Sequence, residues 1–368
     1  MFNRFKIYLK NFDWIIFAAV LLLVTFGLVE IYSVALGRGN LEPLNFQKQI
    51  IFAGTGFLLL FAFAFIDSYF LKSLSRYWYG LALLVLAAVL IFGSTIRGTK
   101  GWFSLSGFSL QPVEFVKIIL ILFLADYFSR LAVKVKTARH FLISGLFTLI
   151  LIALVLLQPD FGSALILGAI WLMMSLAAGF KRKYFVMVAA VALILLIVAW
   201  FFLFKTYQKE RIINFLQPQT NSLESGYHVS QAMIAVGSGG LTGKGVGFGS
   251  QSQLKFLPEA QNDFIFAVIA EELGFLGVIL ILGFYSIFFT RCFLVLRKIN
   301  NDFGIYFLIG AGGLIFIQIF INIGMNLGIM PIVGLSLPYV SYGGSSLISL
   351  LVLTGIMENI IIKSKISY

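Results

Sequence analysis

Apolar residues in this chain come in long blocks, not in the strict alternation that marks a half-buried strand. Ten blocks approach the roughly 20 residues a helix needs to cross a bilayer. They are Trp14–Leu36, Phe46–Ile66, Tyr77–Ile96, Pro112–Phe128, Phe141–Leu157, Phe161–Phe180, Tyr184–Phe204, Phe264–Thr290, Phe303–Met330 and Leu337–Ile362. Polar residues gather in short gaps between blocks, with one exception: the 58 residues from Lys205 to Asn262 separate the seventh from the eighth. The pattern predicts an all-α membrane protein, a polytopic bundle of about ten transmembrane helices. It forms a single integral membrane domain over 1–368, with 205–262 as a large extracytoplasmic loop within it. Arg4, Lys6 and Lys10 before the first block, and Ser33-Val34-Ala35 at its end, give it the look of a signal peptide. Its apolar core is too long for one and nine more blocks follow, so it reads as a retained anchor.

Composition agrees. The 368 residues are 60% hydrophobic and only 11% charged, against roughly 25% charged in soluble domains. A net charge of +12 in such a chain belongs first to cytoplasmic loops, and no basic stripe with interleaved aromatics suggests nucleic acid. Placing the N-terminus inside puts 17 lysines and arginines in cytoplasmic segments and nine outside, with Lys117 in the membrane. Both termini are therefore expected in the cytoplasm. Cys292 is the one cysteine, in an apolar run, which excludes a disulfide framework or thiolate metal site.

Inside the long loop, Val229, Ala232, Met233 and Val236 share one helical face, so Tyr227–Val236 is expected as a short helix folding back onto the membrane interface. The glycine-rich stretch GSGGLTGKGVGFGSQSQ, Gly237 to Gln253, follows. It fails the Walker A pattern, since Ser238 and Gly245 stand where Gly and Ser or Thr are required. Two readings remain: a plain glycine turn, or a flexible loop that holds Lys244 near membrane-bound anions. In QPVEFVK, Glu114 and Lys117 stand three apart on one face of an apolar helix. Such a pair either faces a cavity or merely closes the bundle, and Lys117 could also reach up to the interface. RGTKGWF sets Arg97, Lys100 and Trp102 on a short exterior loop, suited to a phosphate-bearing lipid head group. His140 and His228 lack the companions of a zinc site. Asp160 in QPDFG is placed to cap the sixth span. LPYVSYGGSS, Leu337 to Ser346, brings Pro, paired Gly and Ser to the start of the tenth, where it can cap a helix and line a cavity. FLPEAQNDFIFAVIAEELG gathers Glu259, Asp263, Glu271 and Glu272 around the entrance of the eighth, where the helix dipole favours carboxylates.

Read together, RGTKGWF, QPVEFVK, FLPEAQNDFIFAVIAEELGFLG and LPYVSYGGSS, with QPDFG between them, closely resemble the SEDS family of bacterial cell-wall proteins, whose members include RodA and FtsW. GLTGKG followed by QSQLKFLPE is more similar to the RodA branch, for elongation, than to the FtsW branch, for division. The resemblance implies a peptidoglycan glycosyltransferase that polymerises lipid II at the outer face of the bacterial cytoplasmic membrane. It also implies a class B penicillin-binding protein as partner and a place in the elongation machinery. The family's catalytic aspartate carries over to Asp263, its basic-Trp loop to Arg97, Lys100 and Trp102, and its P-S-E-x-x-K segment to Pro112, Glu114 and Lys117. Gly101 interrupts a stretch that is often more basic, and Val113 replaces the usual Ser. The expected set in contact with lipid II and the nascent strand is Arg97, Lys100, Trp102, Glu114, Lys117, Lys244, Glu259, Ser341, Tyr342 and Ser345.

The chemistry is consistent with a single essential carboxylate. A glycosidase needs an acid as well as a base or nucleophile because its leaving group is a sugar. A lipid pyrophosphate already leaves as an anion, so one base and neutralising cations suffice. No cofactor is evident, and a divalent cation is neither required nor excluded by the sequence. Two other classes compete: a lipid II flippase or transporter, which needs a polar path through the bundle, and a non-catalytic scaffold, which would tolerate loss of Asp263.

Overall fold

The computed structural model describes residues 2–36, 43–96, 98–105, 108–131, 137–202, 209, 225–254, 256, 257 and 259–366. Each apolar block forms a long helix, because a membrane-embedded chain can satisfy its backbone only within helices or closed barrels. An N-terminal helix α1 (Phe2–Asn11) precedes α2 (Trp14–Leu36), α3 (Pro43–Phe65), the short α4 (Ser68–Ser73) and α5 (Ser75–Phe92). Next come α6 (Pro112–Leu131), α7 (Ala138–Leu157), α8 (Phe161–Ala177) and α9 (Arg182–Phe202). The long loop supplies α10 (Ser225–Ser238) and α11 (Ser250–Gln253), and the chain ends with α12 (Ile265–Leu296), α13 (Asp302–Asn326) and α14 (Gly344–Ile366). Among the described residues, seven helices are both long and apolar enough to cross a membrane. The other three at the ten blocks are α6, which carries four charged residues, the 17-residue α8, and α9.

Three differences from the expected spans share a cause, backbone that leaves the helix near the end where the uncommon polar residues lie. The third span stops at Phe92, and Ser94–Ile96 instead begins a three-stranded antiparallel sheet with Thr99–Leu105 and Phe108–Leu110 (β1, β2 and β3). Ser94 pairs with Trp102 and Phe103 with Leu110, so Thr99–Phe103 of that stretch lies in a strand rather than an open loop. The ninth span ends at Asn326 and the tenth starts at Gly344 rather than Leu337. Pro331 and Pro338 lack the N–H that a helix interior requires. The eighth helix starts at Ile265 and breaks at Gly274, whose φ of 65° and ψ of −158° are non-helical.

At the opposite end the chain's own ends are tied together. Lys365 Nζ donates to the Asn11 carbonyl at 2.9 Å, Arg291 Nε donates to both Asp13 oxygens at 2.9 Å, and Lys363 pairs with Asp67. A large apolar core runs through the bundle, and a smaller one joins Val34 of α2 to Ala232 and Ala235 of α10, Leu257, and Phe264 with Val268 at the start of α12. The loop helix thus packs into the protein through its alanines. Met233, assigned to the same face, is 38% exposed.

Candidate active site

Asp263 is the last residue but one before α12, whose N-cap is Phe264. It therefore lies outside the helix rather than in its first turn. Glu259, at φ 49°, opens the turn: its carbonyl accepts from the Asn262 N–H at 3.0 Å and from the Phe264 N–H at 3.4 Å. The Asp263 carbonyl accepts from Asn322 Nδ2 and Asn326 Nδ2, both at 3.0 Å. Asn326 Oδ1 in turn accepts from the Ala267 N–H at 3.1 Å, doing from another helix the work of a capping side chain. Asp263 itself is half-buried. Gly334 lies beside its carboxylate, where a Cβ would stand 3.6 Å from Oδ2.

The segment between α13 and α14 lies against this turn. Ser341 Oγ donates to the Asn262 carbonyl at 2.5 Å and accepts from the Leu337 N–H at 2.8 Å, while the Tyr342 N–H donates to the Gln261 carbonyl at 2.8 Å. Ser341 is thus engaged as a strap between two backbones. Ser345 accepts from the Gln111 N–H at 2.9 Å, just before α6, and Gln111 Nε2 donates to Asp160 at 3.2 Å. Asp160 caps α8 as its position predicts, accepting from the Ser163 N–H at 2.9 Å. The Lys100 N–H donates to the Gln158 carbonyl at 3.2 Å, which anchors the sheet to that same turn. Gly101 is buried against Gln158 Oε1, 3.2 Å from where a Cβ would be, so a longer residue there requires the Gln158 side chain to shift by a few tenths of an ångström. Trp102 Nε1 donates to Thr99 at 3.3 Å. Arg97 falls outside the described residues.

Glu114 and Lys117 form a buried ion pair at 2.7 Å, with side chains 10% and 1% exposed. Lys117 therefore does not reach the interface. Val113, in place of a hydroxyl residue, is buried in the core.

The glycine-rich stretch turns on Gly240, Gly243, Gly245 and Gly247, all at positive φ, and its polar groups have partners within the protein. Lys244 pairs with Glu271 at 2.9 Å, and Glu271 also accepts the Gln251 and Ser252 N–H groups at 2.9 and 3.1 Å. Glu272 accepts the Gly247 N–H at 3.0 Å, Gln253 Nε2 at 3.1 Å and the Ser33 hydroxyl. Both glutamates are fully buried, a position that costs several kcal/mol for an uncompensated carboxylate. The loop's N–H groups, which could cradle a phosphate, hold the protein's own anions, and the two glutamates do more than answer the helix dipole. The helix break makes this fit: the Lys244 and Gly245 N–H groups donate to the Glu271 and Glu272 carbonyls, and the Phe275 N–H to that of Gly240. A Cβ on Gly274 would come within 2.3 Å of the Gly243 nitrogen. Lys244 is thus engaged at the junction of this loop with α12.

Asn322 and Asn326 escaped the sequence reading. Their signal was two amides four residues apart in an apolar helix, and in membrane helices such buried polar groups have partners. Among the described residues, no group of three or more His, Cys, Asp or Glu side chains could hold a metal ion.

Comparison with known proteins converges. The family model FTSW_RODA_SPOVE, described as cell cycle protein, matches residues 13–366. The probable peptidoglycan glycosyltransferase FtsW of Thiomicrospira cyclica is 36% identical, over 98% of this chain and 94% of its own. Peptidoglycan glycosyltransferase MrdB of Escherichia coli K12 is 35% identical, over 85% of each chain. Among solved structures, a peptidoglycan synthase complex determined for its structural coordination of polymerization and crosslinking contains a chain that superposes with a TM-score of 0.81 at 31% identity. That superposition covers 96% of this chain and 98% of the other.

Proposed function

Because the chain belongs to the FtsW/RodA/SpoVE family of cell cycle proteins, the SEDS proteins, it is a multi-pass membrane peptidoglycan glycosyltransferase, and we propose that it polymerises lipid II with Asp263 as general base at the outer face of the cytoplasmic membrane. The observation that carries this reading is the setting of Asp263: half-buried, its carbonyl held by two buried amides, and its carboxylate backed by a glycine. Asp263 takes the proton of the 4-hydroxyl of the incoming lipid II. The oxygen then attacks the anomeric carbon of the lipid-linked strand from the face opposite the pyrophosphate, which leaves with inversion. Lys117 and Lys244 are already paired with Glu114 and Glu271. The departing charge therefore falls to Lys100 on β2, with Arg97 three residues before it in sequence. The outward orientation is supported by the charge count, since Arg291, Lys363 and Lys365 lie at the end opposite Asp263.

We further propose a class B penicillin-binding protein as the crosslinking partner, in keeping with the synthase complex that the fold matches. Relatives of both branches match at near-equal identity, so the elongation assignment rests on the GLTGKG and QSQLKFLPE stretches. Purified protein given purified lipid II, with and without such a partner, tests the activity. Glycan ladders on a gel are expected, whereas lipid II that crosses a vesicle without polymerising would favour a flippase. Rescue of an elongation-depleted strain but not of a division-depleted one is the expected sorting of the branches.

A further inference from the structure

Asn322 and Asn326 stand one turn apart at the end of α13, and both are fully buried. Burying an amide is unfavourable unless its hydrogen bonds are met, so two of them in an apolar helix call for partners. Here the partners belong to three separate pieces of backbone. Both Nδ2 groups donate to the Asp263 carbonyl. Asn322 Nδ2 also donates to the Leu335 carbonyl at 2.7 Å, next to Gly334, and Asn326 Oδ1 receives the Ala267 N–H at the start of α12. The pair is itself braced, with Asn326 Nδ2 donating to the Asn322 carbonyl at 2.8 Å.

We propose that Asn322 and Asn326 are positioning residues for glycosyl transfer, which set the backbone of Asp263 and the wall beside its carboxylate in one frame. The proposal rests on the reading of Asp263 as the base. The turn carrying Asp263 and the segment carrying Gly334 are both irregular, so neither has a ladder of its own to hold its place. Referencing both to one rigid helix leaves the carboxylate only its side-chain rotations. Such restraint matters because a misplacement of about 1 Å in a reacting group can cost about 10²-fold in rate.

The test uses the full-length Asn322→Ala, Asn326→Ala and double variants, assayed for lipid II polymerisation, for melting, and for amide hydrogen exchange across 263–268. Because both amides share one acceptor, each single variant keeps one donor on Asp263 and is expected to fold. The expected result is a fall in kcat in each single variant, reaching about 10²-fold in the double, with the KM for lipid II little changed and faster exchange at 263–268. A role confined to stability would lower melting and leave kcat per folded molecule untouched. Asp263→Asn is assayed beside them. If it polymerises normally, the general-base reading has failed and the proposal falls with it. If it is inactive while folded Asn322→Ala and Asn326→Ala keep wild-type kcat, the positioning proposal alone is overturned.

Discussion

Removing the cation from the buried pair on α6 is the sharpest structural perturbation. Lys117→Met keeps the length and apolar character of the stem but deletes the ammonium 2.7 Å from Glu114 Oε1. Glu114 would then be a carboxylate 10% exposed with its charge uncompensated, and breaking a buried pair from one side costs about 3–5 kcal/mol. An exposed pair would cost under about 1 kcal/mol, so the size of the effect reports burial directly. Replacing both partners, as Glu114→Gln with Lys117→Met, removes the uncompensated charge and should recover most of that loss, since neutral replacement of a buried pair is often nearly neutral overall. Chemical denaturation in detergent, read by the retained monodisperse peak, measures each variant. The double variant should fold better than the single while polymerising poorly if the pair also serves the reaction. A Lys117→Met protein as stable as wild type would refute the burial reasoning, and full polymerisation by the double variant would show the pair to be structural only.

Other outcomes follow from the same geometry. Gly274→Ala should destabilise the junction of α12 with the glycine-rich loop by more than about 1 kcal/mol, because it combines a positive φ with a backbone clash; unfolding midpoints check it. Lys244→Met should weaken the same junction, seen as faster exchange across 240–253, while leaving the KM for lipid II unchanged. Burial raises the Asp13 carboxyl, but the Arg291 hydrogen bond and the charges of Lys365 and Arg291 outweigh it and hold it below its usual range. Its stabilising contribution is therefore present above the unfolded value near ~3.9 and lost as pH falls through the lower folded value. Arg291→Met should be less stable than wild type at neutral pH, by a gap that narrows below about pH 4. Cysteine labelling in a Cys292→Ser background should show residues within 225–254 reacting with an impermeant reagent from outside and Ala138–His140 protected; the reverse pattern would invert the orientation.

The helices at the ten apolar blocks were legible because a bilayer imposes long apolar runs whatever the tertiary detail. Asp160 was legible as a cap because capping is local. The unwound stretch before Gly344, the sheet around Trp102 and the break at Gly274 were not. Each depends on partners distant in sequence: the Asn262 carbonyl for Ser341, Gln158 for Lys100, and the glycine-rich loop for Gly274. Lys244 illustrates the same limit. A cation in a glycine-rich loop suggests an external anion, and only the fold reveals that Glu271, 27 residues on, fills that role. Charge pattern thus gives the kind of partner, and tertiary packing gives its identity.

The central claim is that the Asp263 carboxylate removes the proton of the attacking hydroxyl. Phe264 holds the N-cap and Asn326 meets the Ala267 N–H, so Asp263→Asn disturbs the helix start little, and Asn caps about as well as Asp where capping is needed. The decisive measurement is the rate of lipid II polymerisation by purified Asp263→Asn protein, alongside its melting curve and its binding of lipid II. The predicted result is a folded, lipid II-binding protein whose polymerisation is slower by at least ~10²-fold; near-normal polymerisation by that folded variant would contradict the mechanism.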